Sequence, residues 1–347
     1  MTAGTPETML AVRYTGPKKP LGLERVPIPV PGPGEALVRV RAVGVCRTEL
    51  HFLDGLLDLS VAPLTLGHEF AGEVAALGPG TEGVEPGDRV LVCYYATCGR
   101  CRWCRTAREN LCGHPVAQLG FTADGGYAEF LKAPARVMVP LPEVLDFVSA
   151  STLGCSVTTA LHASGTIAHL QAGETAVVYG AGGVGFALIQ VCKVRGAAVI
   201  AVGRSAKKLE RAGNLGADAV VNAAEGRVAE RIRDLTGGGG ADVIFELVGV
   251  RETMAEAAVA LGKRGRLVFI GYSEDPFTVS PLRLVIDEAQ ILASVGNTLQ
   301  EAHEAVAWAA GGTVHAVVDR TYPLAEAPAA LEALRRGEIV GRAVLLP

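Results

Sequence analysis

The 347-residue chain contains no apolar run near the roughly 18 residues that a membrane-spanning helix needs, so nothing in it reads as such a span. It also lacks an excess of positive charge. With 32 Lys and Arg against 36 Asp and Glu, the formal charge is −4, and no electrostatic footprint favours nucleic acid or an anionic lipid surface. The opening Met1-Thr-Ala-Gly-Thr-Pro-Glu7 has neither a basic segment nor an apolar core and does not read as a secretory signal. Repeats and low-complexity tracts are missing as well, which excludes solenoids and fibrous assemblies. Aromatic residues make up only 5% while glycine occurs 43 times, so tight turns and close backbone packing are expected to shape the structure. With no export signal and cysteines expected to stay reduced, the expected compartment is the cytoplasm.

What is present is a globular composition, 49% hydrophobic and 20% charged, on a chain long enough for two domains. Cysteine is scarce, at eight, yet four of the eight fall within fifteen positions: Cys98, Cys101, Cys104 and Cys112. Four thiolates close a tetrahedral shell around Zn²⁺ and leave no position for chemistry. The spacing therefore predicts a structural zinc lobe over 93–113. Two disulfides would need an oxidising compartment, and iron–sulfur clusters use shorter final gaps than the one before Cys112.

Residues 1–154 read as an irregular, β-rich domain. Alternating apolar segments at 37–43, 69–76, 89–93 and 127–131 are broken by Gly and Pro, including the proline cluster at 27–33. Near residue 172 the texture changes to alternating strands and helices. Strands are expected at 175–179, 198–202, 219–221, 242–247, 266–270 and 291–294, and helices at 186–195, 206–214, 227–235 and 252–261. Six strands linked this way build a parallel, doubly wound Rossmann sheet over 155–294. The tail 295–347, with helices at 299–310 and 326–336 and strands at 314–318 and 341–346, is expected to return to the first domain.

The Rossmann reading is sharpened by Gly180-Ala-Gly182-Gly183-Val184-Gly185, which follows a predicted strand and opens a predicted helix. Gly180 suits the tight turn, Gly182 the backbone approach to a pyrophosphate, and Gly185 the packing of helix on strand. The helix N-terminus offers free N–H groups and a positive dipole end to the phosphates. The second strand ends at Gly203 and not at an acid, with Arg204 and Lys208 behind it. Gly203 cannot accept from a ribose 2′-hydroxyl, and the two cations could pair a 2′-phosphate. This favours NADP(H), with NAD(H) the alternative if the cations are only a solvated helix start.

Three further stretches complete a pattern: Gly44-Val-Cys46-Arg47-Thr48-Glu49-Leu50-His51, Gly67-His68-Glu69, and Cys155 just before the nucleotide domain. With the cysteine lobe and the glycine turn, and in this order, they resemble the zinc-containing medium-chain alcohol dehydrogenases over essentially the whole chain. The resemblance implies a GroES-like catalytic domain before the Rossmann domain. It implies Cys46, His68 and Cys155 as ligands of a catalytic zinc, a set that leaves one position open, with Glu69 as an alternate ligand. Glu49 would orient His68, and Thr48 and His51 would relay the alcohol proton. Arg47 would contact the pyrophosphate, and Thr159 and Val184 would press on the nicotinamide ring. Polyol-type relatives often carry Glu at the Cys155 position, so the cysteine leans toward alcohol and aldehyde chemistry.

The function so implied is hydride transfer between a zinc-bound alcohol or carbonyl and NADP(H), in a homodimer or homotetramer with two Zn²⁺ per chain. A zinc-free quinone or enoyl reductase of the same superfamily would lack the Cys/His-Glu/Cys set, and a non-catalytic nucleotide sensor would not need the Thr48–His51 pair. Cys93, Tyr94 and Tyr95 stand where relatives place a bulky pocket residue, and the sequence does not choose among them. It shows neither the substrate nor the physiological direction.

Overall fold

The computed structural model describes residues 7–57 and 61–347. Residues up to 155 together with 298–347 form one compact unit, and 156–297 form another. The sequence expectation placed the changes of domain at 155 and 295.

In the first unit the backbone of the main sheet is β1 (Glu35–Val45), whose alternation buries Val38, Val40 and Ala42 while Arg39 and Arg41 point outward. Its last residues lead directly into helix α1 (Arg47–Asp54), with Cys46 at the N-cap. β1 pairs antiparallel with β2 (Glu69–Leu77), and the register sets Gly44 opposite Glu69. One ladder therefore brings the ends of two separate motifs, Cys46 and His68, to the same end of the sheet. Helix α2 (Phe147–Thr152), capped by Asp146 accepting from Ser149 N at 2.9 Å, runs into a π-helical turn, Leu153–Val157, that carries Cys155.

The second unit begins its sheet with β3 (Thr175–Tyr179). Helix α3 (Gly183–Val194) follows, and Phe186 to Cys192 are all buried, as its nearly continuous apolar sequence requires. β4 (Ala198–Gly203), α4 (Ala206–Asn214), β5 (Ala219–Asn222) and α5 (Val228–Leu235) complete one half. β6 (Ala241–Glu246), α6 (Arg251–Ala260), β7 (Leu261–Phe269), α7 (Pro281–Asp287) and β8 (Gln290–Ala293) make the other. The strands are parallel in the order β5-β4-β3-β6-β7-β8, the doubly wound arrangement, with the order reversing between β3 and β6. Val177, Ile200, Val202, Ile244 and Leu267 fill its core.

Glu174, at the foot of β3, holds Arg266 of β7 through two hydrogen bonds of 2.8 and 2.7 Å. The Arg266 guanidinium, with the Gln171 N–H, outweighs burial and sets the Glu174 carboxyl below the usual range. A depressed folded-state value contributes stability above the unfolded value of about 4.3 and loses it as pH falls through the folded value. Glu174→Gln is expected to cost about 1–2 kcal/mol at pH 7. Thermal melting at pH 7 and below pH 4 checks this, and an equal deficit at both would remove the charge from the account.

Helix α8 (Leu299–Ala310) returns the chain to the first unit behind a capping box, with Thr298 Oγ1 accepting from Glu301 N and Glu301 Oε2 from Thr298 N. β9 (Val318–Pro323), α9 (Ala327–Arg335) and β10 (Arg342–Leu346) follow. β10 pairs with β9 and with β1, so the sheet runs Met138–Pro140, Arg89–Val92, β2, β1, β10, β9, with Phe130–Pro134 also on β1.

The strand expected at 314–318 is instead β9, because Val314 and Val317 are buried without a ladder and pairing begins only at Val318 opposite Arg342. The strand expected at 127–131 starts at Phe130, since Tyr127 bonds Leu66 and Val12 across an irregular crossing. Helix α7 was not legible in the sequence. Its Leu282, Val285 and Ile286 are exposed, so no amphipathic burial marks it.

Candidate active site and metal centres

Cys46 is placed by the end of β1 and the start of α1, and Glu49, one turn on, ties it to His68. Glu49 Oε2 accepts from Cys46 N at 3.0 Å while Glu49 Oε1 pairs with His68 Nδ1 at 2.8 Å, leaving His68 Nε2 as the ring nitrogen on the side of Glu69, whose Oε1 is 4.0 Å away. Gly67, at φ 91°, makes the turn that delivers His68, and a Cβ there would stand 2.4 Å from the Tyr127 ring. Cys155 arrives from the π-helical turn. The donor atoms of Cys46, His68, Glu69 and Cys155 all lie within 4.8 Å of one another, and all four residues are buried.

Glu69 is distinguished from the other three by its partner. Its Oε1 lies 2.9 Å from Arg342 Nη2, and that nitrogen is 3.7 Å from Cys155 Sγ. Both charged residues are buried, and neither Glu69 oxygen accepts a well-aligned hydrogen bond. Gly44 makes the room, for a Cβ there would sit 2.3 Å from Glu69 Oε2. Sequence reasoning missed Arg342. Its one signal is a lone charge opening the apolar strand Arg-Ala-Val-Leu-Leu.

The electrostatics are those of a cation site. A hydrogen bond from Cys155 pulls the Cys46 thiol well below its ordinary value against the cost of burial, with Arg342 assisting; the same bond pushes Cys155 up. Burial raises Glu69 to about 8, only partly offset by Arg342. Burial lowers the His68 imidazole, but Glu49 and Cys46 override it and its proton affinity stands well above normal. Two thiols, an oriented imidazole and a nearby carboxylate in a buried pocket fit a divalent, borderline-soft ion such as Zn²⁺.

Beside this cluster, Thr48 Oγ1 is 3.6 Å from Cys46 Sγ, and His51, one turn further along α1, is half-buried. Arg47 is exposed at the first position of the helix. Among the candidates at 93–95, the structure sets Tyr94 against His68, ring centroids 5.1 Å apart, with Tyr95 packed behind Tyr94 at 4.3 Å. Phe121, which no sequence pattern marked, stacks on Tyr94 at 5.4 Å and also reaches His68 at 5.1 Å.

The second cluster is the cysteine lobe. Neighbouring sulfurs of Cys98, Cys101, Cys104 and Cys112 are 3.5, 3.5, 3.8 and 3.9 Å apart. Disulfide sulfurs would be about 2.05 Å apart, whereas four sulfurs at about 2.3 Å from one zinc stand about 3.8 Å from each other. The backbone N–H groups of Cys98 and Cys101 point at the sulfurs of Cys112 and Cys98, which stabilises thiolates. Glu109 of the lobe accepts from Leu299 N at 2.8 Å, at the first turn of α8.

In the second unit, Gly180 has φ 127° and Gly182 is the N-cap of α3, whose first residues are Gly183 and Val184. A Cβ on Gly185 would stand 2.0 Å from Gly180 O, so helix and strand close only with glycine there. A Cβ on Gly182 would meet nothing within 4 Å, which leaves open backbone beside the helix N-terminus, a cradle suited to a pyrophosphate. At the end of β4 the site of a Cβ on Gly203 lies 3.2 Å from Ala181 Cβ and 3.4 Å from Leu209, so a side chain there would press on the glycine turn. Arg204 is exposed and Lys208 half-buried, while Thr159 is buried on the helical turn Thr158–Leu161.

Residues 32–143 match the family described as the alcohol dehydrogenase GroES-like domain, and 183–311 match the zinc-binding dehydrogenase family. The chain is 34% identical over 332 residues to an alcohol dehydrogenase of Geobacillus stearothermophilus, covering 94% of this chain and 96% of the relative. It is 35% identical to an NAD-dependent alcohol dehydrogenase of Sulfurisphaera tokodaii, over 98% of this chain and 100% of the relative. A solved zinc-binding dehydrogenase from Sinorhizobium meliloti, bound to NADP, superposes with a TM-score of 0.89 at 30% identity, covering 99% of this chain and all of that one.

Proposed function

The chain belongs to the zinc-binding medium-chain alcohol dehydrogenase family, and from that premise we propose that it transfers hydride between an alcohol, or the matching aldehyde or ketone, and NAD(H). The observation that carries this is the pair of ligand clusters, one of four sulfurs alone and one of Cys46, His68 and Cys155 with Glu69 drawn to Arg342. Zinc held by Cys46, His68 and Cys155 would supply Lewis acidity to the substrate oxygen, and a nicotinamide cofactor held at the 180–185 turn would supply the hydride chemistry.

The chain's own residues do the rest. Glu49 fixes the His68 ring, so that Nε2 is the nitrogen offered to the metal. Arg342 supplies positive charge to the thiolates and Glu69 in a buried site. Thr48, beside Cys46, takes the alcohol proton, and His51, half-buried on the same helix, hands it to solvent. Burial and Arg47 lower the His51 imidazole, which favours its unprotonated, proton-accepting form near neutral pH. Tyr94 and Phe121, packed on His68, are proposed to bound the substrate pocket. The exposed apolar face of α7 supports self-association into a dimer or tetramer, to be read as solution mass.

NAD(H) is supported by relatives named as NAD-dependent, three of which cover nearly the whole chain at 33–35% identity. A second reading, NADP(H), is favoured by Gly203 and Arg204: a carboxylate at 203 would crowd Ala181, and an exposed cation follows it in the sequence. Initial rates on a panel of alcohols with NAD⁺ and with NADP⁺, before and after chelation, test both. The expected result is chelator-sensitive turnover with kcat/KM at least about 10-fold higher for NAD⁺. A reversed ratio that Arg204→Ala abolishes would select NADP(H). Absence of turnover with either cofactor in fully zinc-loaded protein would sink the dehydrogenase reading.

A further inference from the structure

Doubly wound sheets of this strand order bind a mononucleotide on each side of the point where the order reverses, with the pyrophosphate at the glycine turn between them. On the nucleotide reading above, on which this inference rests, β3, β4 and β5 take the adenosine half. The C-terminal ends of β6 and β7 then face the nicotinamide half.

The last residue of β6 is Glu246, wholly buried. Its Oε1 accepts from Val248 N at 3.0 Å and from Thr253 Oγ1 at 2.8 Å, and its Oε2 accepts from Gly249 N at 2.9 Å. Its backbone carbonyl accepts from Ile270 N and Gly271 N, both at 2.9 Å. One residue thus gathers the 247–250 loop, the first turn of α6 and the chain just beyond β7. A carboxylate can take three donors on its two oxygens, which a neutral amide cannot do without turning its own N–H₂ toward a donor.

What the loop touches gives the gathering its purpose. Leu247 N donates to Tyr179 O at 3.0 Å, beside the glycine turn. Leu247 Cβ lies 3.0 Å from where a Cβ on Gly180 would be, and its carbonyl carbon 2.3 Å from where one on Gly271 would be. A Cβ on Gly249 would stand 2.4 Å from Tyr272 N. Three strand ends therefore meet backbone to backbone, and a shift of the 247–250 loop must move its neighbours.

We propose that Glu246 is a positioning residue for the nicotinamide half of the cofactor, its carboxylate locking the 247–250 loop against the glycine turn and Gly271. Glu246→Gln and Thr253→Val in the zinc-loaded full chain test it, by titration with NADH and with ADP-ribose, which lacks the nicotinamide ring. Glu246→Gln is expected to weaken NADH about 10-fold and Thr253→Val about 3-fold, with ADP-ribose changed less than about 2-fold in both and zinc content unchanged. In turnover, KM for NAD⁺ should rise more than kcat falls. Equal weakening of NADH and ADP-ribose would reduce Glu246 to a general structural residue, and unchanged NADH affinity would overturn the proposal. Wild-type protein that binds neither compound would remove the nucleotide reading and this inference with it. If Glu246→Gln does not fold, Thr253→Val carries the test.

Discussion

Replacing Cys46 with serine is expected to lower turnover by at least about 10³-fold, or roughly 4 kcal/mol in the barrier, and to reduce bound zinc from two equivalents to one. The proposed open-site set has three protein ligands, Cys46, His68 and Cys155, and a neutral serine hydroxyl is a far poorer ligand than a thiolate. The fold around it should survive. The Cys46 backbone N–H donates to the Glu49 carboxylate, and a serine oxygen can replace the sulfur as acceptor of the Glu49 backbone N–H in the capping box, so α1 keeps its start and Glu49 keeps its grip on His68. Metal analysis together with kcat checks both halves. A variant that holds two zinc ions and turns over normally would remove Cys46 from the ligand set. One that loses both would mean that the two clusters do not load independently.

Cys101→Ser should do the opposite: one zinc lost, stability lost with it, and chemistry kept. Apparent zinc binding to small structural modules is about 10–16 kcal/mol. In a large unit only the ordering of the lobe depends on it, so a net loss of about 3 kcal/mol, or roughly 6–12 °C in melting temperature, is expected. The loss should extend beyond the lobe, because Glu109 in it accepts from Leu299 N at the start of α8. A frayed lobe removes that acceptor from a helix N-terminus. Hydrogen exchange at 299–302 should therefore rise along with exchange at 98–112, while kcat per active site stays within about 3-fold of wild type. Unchanged metal content and melting temperature would contradict the zinc lobe. Loss of kcat at full catalytic-zinc content would show that the lobe shapes the active site as well.

Where chemistry demands particular residue types at short range, the sequence was a sufficient guide. The cysteine lobe and the Gly-x-Gly-Gly-x-Gly turn are each decided within a few residues, since a metal shell and a phosphate cradle each need a local set of donors. The alternation of strands and helices over 175–293 was readable for the same reason, because buried parallel strands and their helices each carry their own period. The pattern failed at 314–318, where apolar residues are buried without a strand to pair with, and at α7, whose apolar residues face outward.

The sequence by itself determined which groups are available: soft metal ligands, a histidine with a carboxylate one motif away, and a backbone able to approach phosphate. Tertiary structure alone decided which of them meet. Arg342 reaches Glu69 only because β10 lies beside β1, whose other edge carries β2. Tyr94, not Cys93 or Tyr95, lies against His68 because the ring of Tyr95 packs behind it and Phe121 closes from another loop. Glu246 reads in sequence as one more acid at a strand end; its carboxylate bonds to residues 248, 249 and 253 are local, but its carbonyl meets Ile270 N and Gly271 N only because β7 lies beside β6. Strand register and sheet order are long-range outcomes of burying the whole core at once, and no short pattern of residues encodes them.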